Sequence, residues 1–355
     1  MCNGYEFRVW NGSTASFFSL PEGPSFAFDN AGGALAGVTG VYRFGWGYLN
    51  ERGFFGPCGD LRYVTFIQQA IYMSGFTYPT GYGITAGVLY ISSNNGSDIQ
   101  YARVFPTGTA TLLLQLDEGF PPFDGFSLAM LEPTAVNFTM APRYIELFQN
   151  SLFLVGFSGN GSLIAYSETG EPENIKPDYN FEFRTDDGDF LTGAKQYQNA
   201  LYLFKRYSFC KVIGTDPSNF ERLDVFNEYG AVSNNAILVV DDVMLFLNEK
   251  GIAQYTGARP SIISDKIEDV FLNMNVDQAL ENATAVHDRD RNQARFSFPS
   301  IGSTINNTNI IYDYSLDAFS VEKGVTYSAI AIAKQDRSRK SVFLGTYDGR
   351  VGYQS

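Results

Sequence analysis

The sequence predicts an all-β fold, a β-propeller of about six to seven four-stranded blades closed by an N-terminal strand, with a short helical insertion near residues 264–282. The first observation behind this prediction is the density of short runs rich in Val, Ile, Leu, Phe and Tyr, each bounded by Gly, Asn, Asp or Pro. The second is a hairpin pattern that recurs about every 45–50 residues, which is the spacing of propeller blades. A blade cannot bury both of its faces alone, so we expect neighbouring blades to stack and the ring to close.

The two clearest copies of the hairpin pattern run from Leu89 to Tyr101 and from Leu152 to Tyr166. Each has an aliphatic–aromatic pair, then Asn-Gly-Ser, then Ile-x-Tyr. Asn-Gly is a strong hairpin signal because a type I′ turn needs positive φ at both central positions. The sequence therefore predicts turns at Asn95-Gly96 and Asn160-Gly161. Looser copies begin at Leu201, Leu245, Phe296 and Val342, the last with an Asp348-Gly349 turn.

The N-terminal region keeps this period poorly, because the interval between the first two copies is longer than the others. We therefore predict two parts: residues 1–60 as an N-terminal arm with the closing strand or strands, and residues 61–355 as the propeller. The sequence ends directly after the last hairpin, so the final blade is expected to lack a strand. A strand near Tyr5–Trp10 or Leu61–Ile67 is predicted to complete it.

One segment has a helical pattern. Ser264 is predicted to cap a helix over 265–272, with acidic residues in its first turn and apolar residues on one face. A second short helical turn is expected over 277–281. Both would form a decoration between two blades.

The charge balance excludes several function classes. The chain has 355 residues, with 38 acidic against 25 basic residues and a formal net charge of −13. Proteins that bind DNA tightly contact its phosphates with clustered Lys and Arg, so this acidic composition disfavours tight binding of nucleic acid. No apolar run is long enough to span a membrane, and the first residues do not form a secretory signal, so we expect synthesis in a cytoplasm without membrane insertion.

The sequence contains no pattern that indicates catalysis. His287 is the single histidine, which excludes multi-histidine metal sites, and we interpret it as a solvated turn residue. The segment from Asp288 to Pro299 fails as a calcium loop because Gln293 and Pro299 stand where Gly and Glu are needed. Nucleotide-binding and hydrolase motifs are absent as well. We therefore predict a protein that is not an enzyme, with no cofactor, no metal and no catalytic residue.

The stretch from Tyr144 to Tyr255 resembles the β-propeller proteins of the tails of short-tailed bacteriophages, known as tail hub, nozzle or packaged-DNA stabilisation proteins. The resemblance extends over roughly residues 140–355. The segments that carry it are 147–153 with 166–167 and 170–174, then 230–234, 243–257, 311–314 and 318–319.

The resemblance implies a structural virion protein, made in the cytoplasm of the bacterial host and located in the phage tail. It implies a homo-oligomeric ring, usually a hexamer, that extends the channel below the portal and adaptor and docks tail fibres or a needle. Genomic DNA would be retained and then pass through at ejection without sequence-specific binding. An acidic wall suits this role because cation–phosphate contacts would trap the DNA. Candidate acidic channel or interface loops contain Glu171, Glu173, Asp186, Asp187 and Asp189.

Two other functions remain open. The first is a carbohydrate-binding or glycan-hydrolysing β-propeller, since aromatic residues at blade edges can stack on sugars and a glycosidase needs two facing carboxylates. The second is a protein-interaction scaffold of the WD40 or kelch kind, although the signatures of those repeats are absent.

Overall fold

A computed structural model of the protein confirms the all-β prediction, with 54% of the described residues in strands and 8% helical. It describes residues 8–10, 13–17, 20–21, 23–30, 39–53, 55–56, 58–67, 71–92, 99–114, 141–176, 178–185, 187–334 and 340–354. The chain divides into two compact units. Unit 1 comprises Met1–Pro142 and Ala165–Asn180, and unit 2 comprises Arg143–Ile164 and Phe181–Ser355.

The N-terminal strands form sheets whose order departs from the order of the chain. These strands are β1 (Arg8–Trp10), β2 (Ala15–Phe17), β3 (Ala27–Asn30), β4 (Thr39–Asn50), β5 (Gly59–Ile67), β6 (Ile71–Ser74), β7 (Ile84–Ser92), β8 (Ile99–Pro106) and β9 (Thr111–Leu114). One antiparallel sheet has the order β5-β4-β7-β8, a second has the order β3-β6-β9, and β1 pairs with β2.

The core of unit 1 is aromatic. The large side chains of β4, Tyr42, Phe44, Trp46 and Tyr48, stand at every second position and are all buried, so they lie on one face of the strand and in one core. Trp46 stacks on Phe76 at a centroid distance of 3.9 Å. A Cβ on Gly87, in the neighbouring strand β7, would lie 2.0 Å from the indole ring, so only glycine fits there. The indole ring of Trp46 thus occupies the space that a side chain at position 87 would need, which favours this pairing of β4 with β7.

The rest of the chain forms a series of antiparallel meanders, in which strand order follows chain order. The sheets are β10-β11-β12-β13, β14-β15-β16-β17, β18-β19-β20-β21, β22-β23-β24-β25 and β26-β27-β28. Their strands are β10 (Pro142–Phe148), β11 (Ser151–Phe157), β12 (Asn160–Tyr166), β13 (Asn180–Glu182), β14 (Leu191–Tyr197), β15 (Ala200–Lys205), β16 (Ser208–Ile213), β17 (Glu221–Asn227), β18 (Ile237–Val240), β19 (Val243–Asn248), β20 (Gly251–Tyr255), β21 (Ser261–Ile262), β22 (Thr284–Asp288), β23 (Gln293–Phe298), β24 (Thr308–Asp313), β25 (Ala318–Lys323), β26 (Ala329–Lys334), β27 (Lys340–Gly345) and β28 (Val351–Gln354).

The repeat found in the sequence corresponds to the second strand of each meander. The copies that begin at Leu152, Leu201, Leu245, Phe296 and Val342 lie in β11, β15, β19, β23 and β27. Where neighbouring sheets cover both faces of such a strand, as they do for β19, it is apolar on both faces, which explains the recurring apolar segment. The copy at Leu89 differs, because β7 belongs to the β5-β4-β7-β8 sheet, which is not a meander. The long first interval therefore marks a change of topology.

One predicted turn is wrong and another is confirmed. The β11–β12 hairpin turns at Ser158-Gly159, where Gly159 has a φ of 95°, and Asn160 is already the first residue of β12. The side-chain amide of Asn160 instead donates a hydrogen bond to the carboxylate of Glu182. Asn160 therefore connects β12 to β13 and is not part of the turn. The Asp348-Gly349 turn lies between β27 and β28 as predicted, with a φ of 82° at Gly349. Asn95 and Gly96 lie outside the described residues.

Successive meanders pack face to face. On one face of β19, Met244 and Phe246 belong to the core that contains Tyr202 and Phe204 of β15. On its other face, Leu245 and Leu247 belong to the core that contains residues of β23. Strand alternation thus lets one sheet cover both of its neighbours.

The last sheet has three strands within the described residues. The two segments predicted to complete it lie in other sheets: residues 8–10 form β1, which pairs with β2, and residues 61–67 lie in β5, which pairs with β4. Residues 5–7 lie outside the described part of the chain. Hydrophobic alternation gave these segments a strand signal, but such a signal does not specify the partner strand.

The predicted helical insertion is confirmed between β21 and β22. It consists of a 3₁₀ turn at Asp265–Ile267 followed by α1 (Glu268–Leu272) and α2 (Val276–Asn282). Ser264 does not cap it, because its buried hydroxyl accepts a hydrogen bond from the Ile252 amide at 2.9 Å. The α2 cap is Asn275.

Two further 3₁₀ turns lie at Asn234–Ala236 and Arg289–Arg291. In the described part of the chain, no helix has the length and apolar character needed to cross a membrane.

Candidate functional site

Two of the predicted acidic residues, Asp187 and Asp189, are organised by a buried lysine. Lys205, at the end of β15, has a fully buried side chain. Its ammonium group donates to Asp187 Oδ1 at 2.7 Å and to the carbonyl oxygens of Arg184 and Asp189 at 2.6 and 3.1 Å. A charge taken out of water must be paired and fully hydrogen-bonded, and this loop provides both. We call residues 184–190 with Lys205 the lysine-centred loop.

The carboxylate of Asp189 connects this loop to the β15–β16 hairpin through hydrogen bonds. It accepts backbone N–H groups from Phe190 at 2.8 Å and from Tyr207 at 3.1 Å. The Tyr207 amide belongs to the turn between β15 and β16, so Asp189 joins two separate turns. Asp186 lies outside the described residues.

The pKa of Asp187 is lowered from its ordinary value of 3.8. Its partial burial acts in the opposite direction, but the hydrogen bond from Lys205, the Asp189 amide and the positive charge of Lys205 outweigh it. A carboxyl whose pKa falls on folding stabilises the protein above its unfolded pKa, and this contribution disappears as the pH falls through the folded value.

Asp187→Asn is therefore expected to lower the Tm at neutral pH and to flatten the acid dependence of the Tm. The difference between the parent and the variant should shrink between about pH 5 and pH 2, because protonation removes the same charge from the parent. Thermal unfolding followed by circular dichroism over this range tests it, with the exposed Asp290→Asn as the control. A difference that stays constant down to the acid limit would contradict the assigned role.

The other two candidate acids, Glu171 and Glu173, lie in one turn of unit 1 but have different surroundings. Glu173 has a side-chain exposure of 6% and forms a bidentate ion pair with Arg52, which follows β4. Asn50 also donates to its Oε2 at 3.0 Å. These contacts join segments that are more than a hundred residues apart in the sequence. Glu171 is exposed, and its carboxylate accepts from the Asn174 side chain at 2.7 Å.

The acidic residues therefore fall into two groups, each held by its own hydrogen bonds. The function of these loops in a channel or at an interface stays a prediction. Sequence reasoning missed the cations that organise them. Lys205 did have a signal, since it ends the buried strand Ala200–Lys205 in which all other residues are apolar. Arg52 had none, because its partner is distant in the sequence.

His287 is not a turn residue. It lies within β22, half-buried, with Nε2 3.1 Å from the Tyr314 hydroxyl. Burial lowers its pKa. Asp288, next to it, is paired with Arg291 at 2.8 Å. Among the residues that the structure describes, no group of three or more His, Cys, Asp or Glu could hold a metal ion.

No protein-family model and no curated protein matches the chain. Among solved structures, the chain is similar to the extracellular domain of a hybrid two-component system from B. thetaiotaomicron, with 13% identity and a TM-score of 0.40. That similarity covers 76% of this chain and 30% of the other. The chain is also similar to BBS1N, solved in complex with ARL6DN, with 10% identity and a TM-score of 0.38 over 92% of this chain and 94% of that one. Similarities this weak assign no function.

Proposed function

We propose that the protein is a structural β-propeller subunit of a phage tail hub or nozzle, and that it has no catalytic function. It would form a ring, a hexamer by the resemblance, that continues the portal and adaptor channel and docks fibres or a needle. The proposal rests on the series of meanders over residues 142–354, which coincides with the part of the sequence that resembles this family.

One observation carries the propeller part of the proposal. From the second meander onward, the first strands of neighbouring meanders contact one another: β14 contacts β18, β18 contacts β22, and β22 contacts β26, whereas the first meander contacts β14 through its second strand, β11. In a propeller the corresponding strand of every blade lines the central axis, so these contacts are expected between neighbours. The face-to-face packing on both sides of β19 agrees with the same arrangement.

The acidity of the chain supports the conduit part. A net charge of −13 disfavours phosphate binding, and each cation that DNA met along a channel would form a contact that slows it. Lys205 and Arg52, the cations described above, are neutralised by carboxylates in their loops. We therefore do not expect these two cations to bind the phosphates of a DNA duplex in the channel.

Mass photometry and negative-stain microscopy of the purified full chain test the assembly, and mass spectrometry of phage particles tests the location. We expect a ring of discrete stoichiometry and the chain among the virion proteins. A protein that stays monomeric at all concentrations and is absent from particles would contradict the proposal. Filter binding of duplex DNA at physiological salt provides a second readout, in which we expect no retention.

A further inference from the structure

The last sheet of unit 2, β26-β27-β28, has an uncharged face that is largely exposed. In antiparallel strands, residues directly opposite each other lie on the same face. Two neighbouring rows across the three strands consist of Ala331, Phe343 and Tyr353, and of Ala329, Gly345 and Val351. Val351 is 69% exposed, and Tyr353 and both alanines are exposed as well. We call these six residues the end face.

The opposite face of the same sheet is buried. It carries Ile330 and Val342, which lie one position away from the end face in β26 and β27. The sheet contacts the preceding one through β26 and β22. The buried face is therefore the one that packs on the β22–β25 sheet, and the end face points away from the series of meanders.

A strand within the series shows what covers such a face elsewhere. One side of β19 packs on the β14–β17 sheet and its other side packs on the β22–β25 sheet. In a stacked array, the terminal repeat stays soluble when its outer side is polar, because no further repeat covers it. None of the six residues of the end face is charged. Its composition is therefore that of a surface on which another sheet packs.

The other end of the series has a second exposed apolar surface, on β10. Glu146 faces the β14–β17 sheet, since its Oε1 accepts from the Gln196 amide at 3.1 Å. Ile145 and Leu147 flank it in the strand and so lie on the other side, where Leu147 is 56% exposed. We call this side, with Ile145 and Leu147, the β10 surface.

The packing order of the series indicates which two surfaces meet. Within the chain, the far side of one sheet packs on the near side of the next. Placing the end face on the β10 surface would continue this order, with the last sheet followed by a first sheet. Both surfaces are exposed within one chain, so a contact between them joins two copies.

We propose that the end face of one copy packs on the β10 surface of a second copy, and that this head-to-tail contact joins neighbouring subunits. Because the two surfaces differ, each added copy leaves one of each kind free, and assembly continues until a ring closes. Two end faces packed on each other would stop at a dimer. The inference rests on the proposed ring and names the surfaces through which it assembles.

Sedimentation velocity of full-chain variants tests the proposal. Val351→Glu and Leu147→Glu each place a carboxylate in one of the two surfaces, at an exposed position. An unpaired carboxylate is costly to bury, so each variant alone should weaken the contact about tenfold or more and sediment as monomers where the parent forms rings. The control is Leu316→Glu, in the turn between β24 and β25, which has a matching exposure of 73% and should assemble like the parent.

A mixture of the two variants identifies the geometry of the contact. Val351→Glu keeps the β10 surface and Leu147→Glu keeps the end face, so the mixture should form a species of two chains and no ring. If two end faces packed on each other, Leu147→Glu alone would dimerise and the mixture would add nothing. That result would overturn the proposal.

Two further outcomes would overturn it. One is assembly of Val351→Glu like the parent. The other is a Val351→Glu monomer that circular dichroism shows to be unfolded, since the chain itself would then cover the end face. In both cases the ring proposal stands as long as the parent assembles. A parent that stays monomeric at all concentrations would contradict the ring proposal and this inference together.

Discussion

Lys205→Met is expected to lower the free energy of unfolding by about 3 kcal/mol, because it leaves the partners of a buried charge unpaired. Asp187 would lose its cation, and the carbonyl oxygens of Arg184 and Asp189 would lose their donor. Methionine has a similar length, so the variant removes the charge with little change in packing. Urea unfolding followed by fluorescence measures the loss.

The matched control is Lys250→Met, which changes an exposed lysine in the turn between β19 and β20. This variant should stay within about 0.5 kcal/mol of the parent. If Lys205→Met and Lys250→Met have the same small effect, the lysine-centred loop does not stabilise the fold. If the double variant Lys205→Met with Asp187→Leu recovers part of the loss, the unpaired carboxylate is its cause.

Glu173→Gln should cost about 2 kcal/mol, because it replaces a buried, bidentate ion pair with a neutral contact to Arg52. The exposed neighbour Glu171→Gln should have almost no effect, although the same turn contains both residues. Hydrogen exchange should show faster exchange in residues 165–176 of the Glu173→Gln variant, since this segment is held to the end of β4 by that pair.

Equal exchange in the two glutamate variants would contradict this role of Glu173. Equal unfolding free energies would do the same. The comparison also bears on the channel hypothesis, since a carboxylate committed to Arg52 contributes little free negative charge to a surface, whereas Glu171 retains its exposure.

The local signals in the sequence predicted much of the C-terminal part of the fold. The aliphatic–aromatic pairs at Leu201 and Leu245 indicated hairpins, and both pairs lie in the second strand of a meander. A strand whose two faces are both covered by neighbouring sheets is apolar on both faces, which produces this signal. The acidic first turn and apolar face of residues 265–272 identified the helical insertion. These features depend on residues that are close in sequence.

The features that the sequence did not reveal depend on long-range pairing. The hairpin at Leu89 looks like the one at Leu152, yet β7 pairs with β4 as well as with β8. Likewise, the apolar strand that Lys205 ends indicated that this lysine is buried, but nothing in the sequence indicated that Asp187 and Asp189 would be its partners. Side-chain alternation specifies which face of a strand is buried but not which strand lies beside it.

We propose that this chain is a propeller subunit of a conduit ring, and a cryo-microscopy map of the purified assembly tests both parts of that proposal. The predicted result is a ring with an axial channel wide enough for duplex DNA, in which each subunit has its β14, β18, β22 and β26 strands around one local axis. A map of isolated monomers, or of sheets stacked in an open row without such an axis, would contradict it.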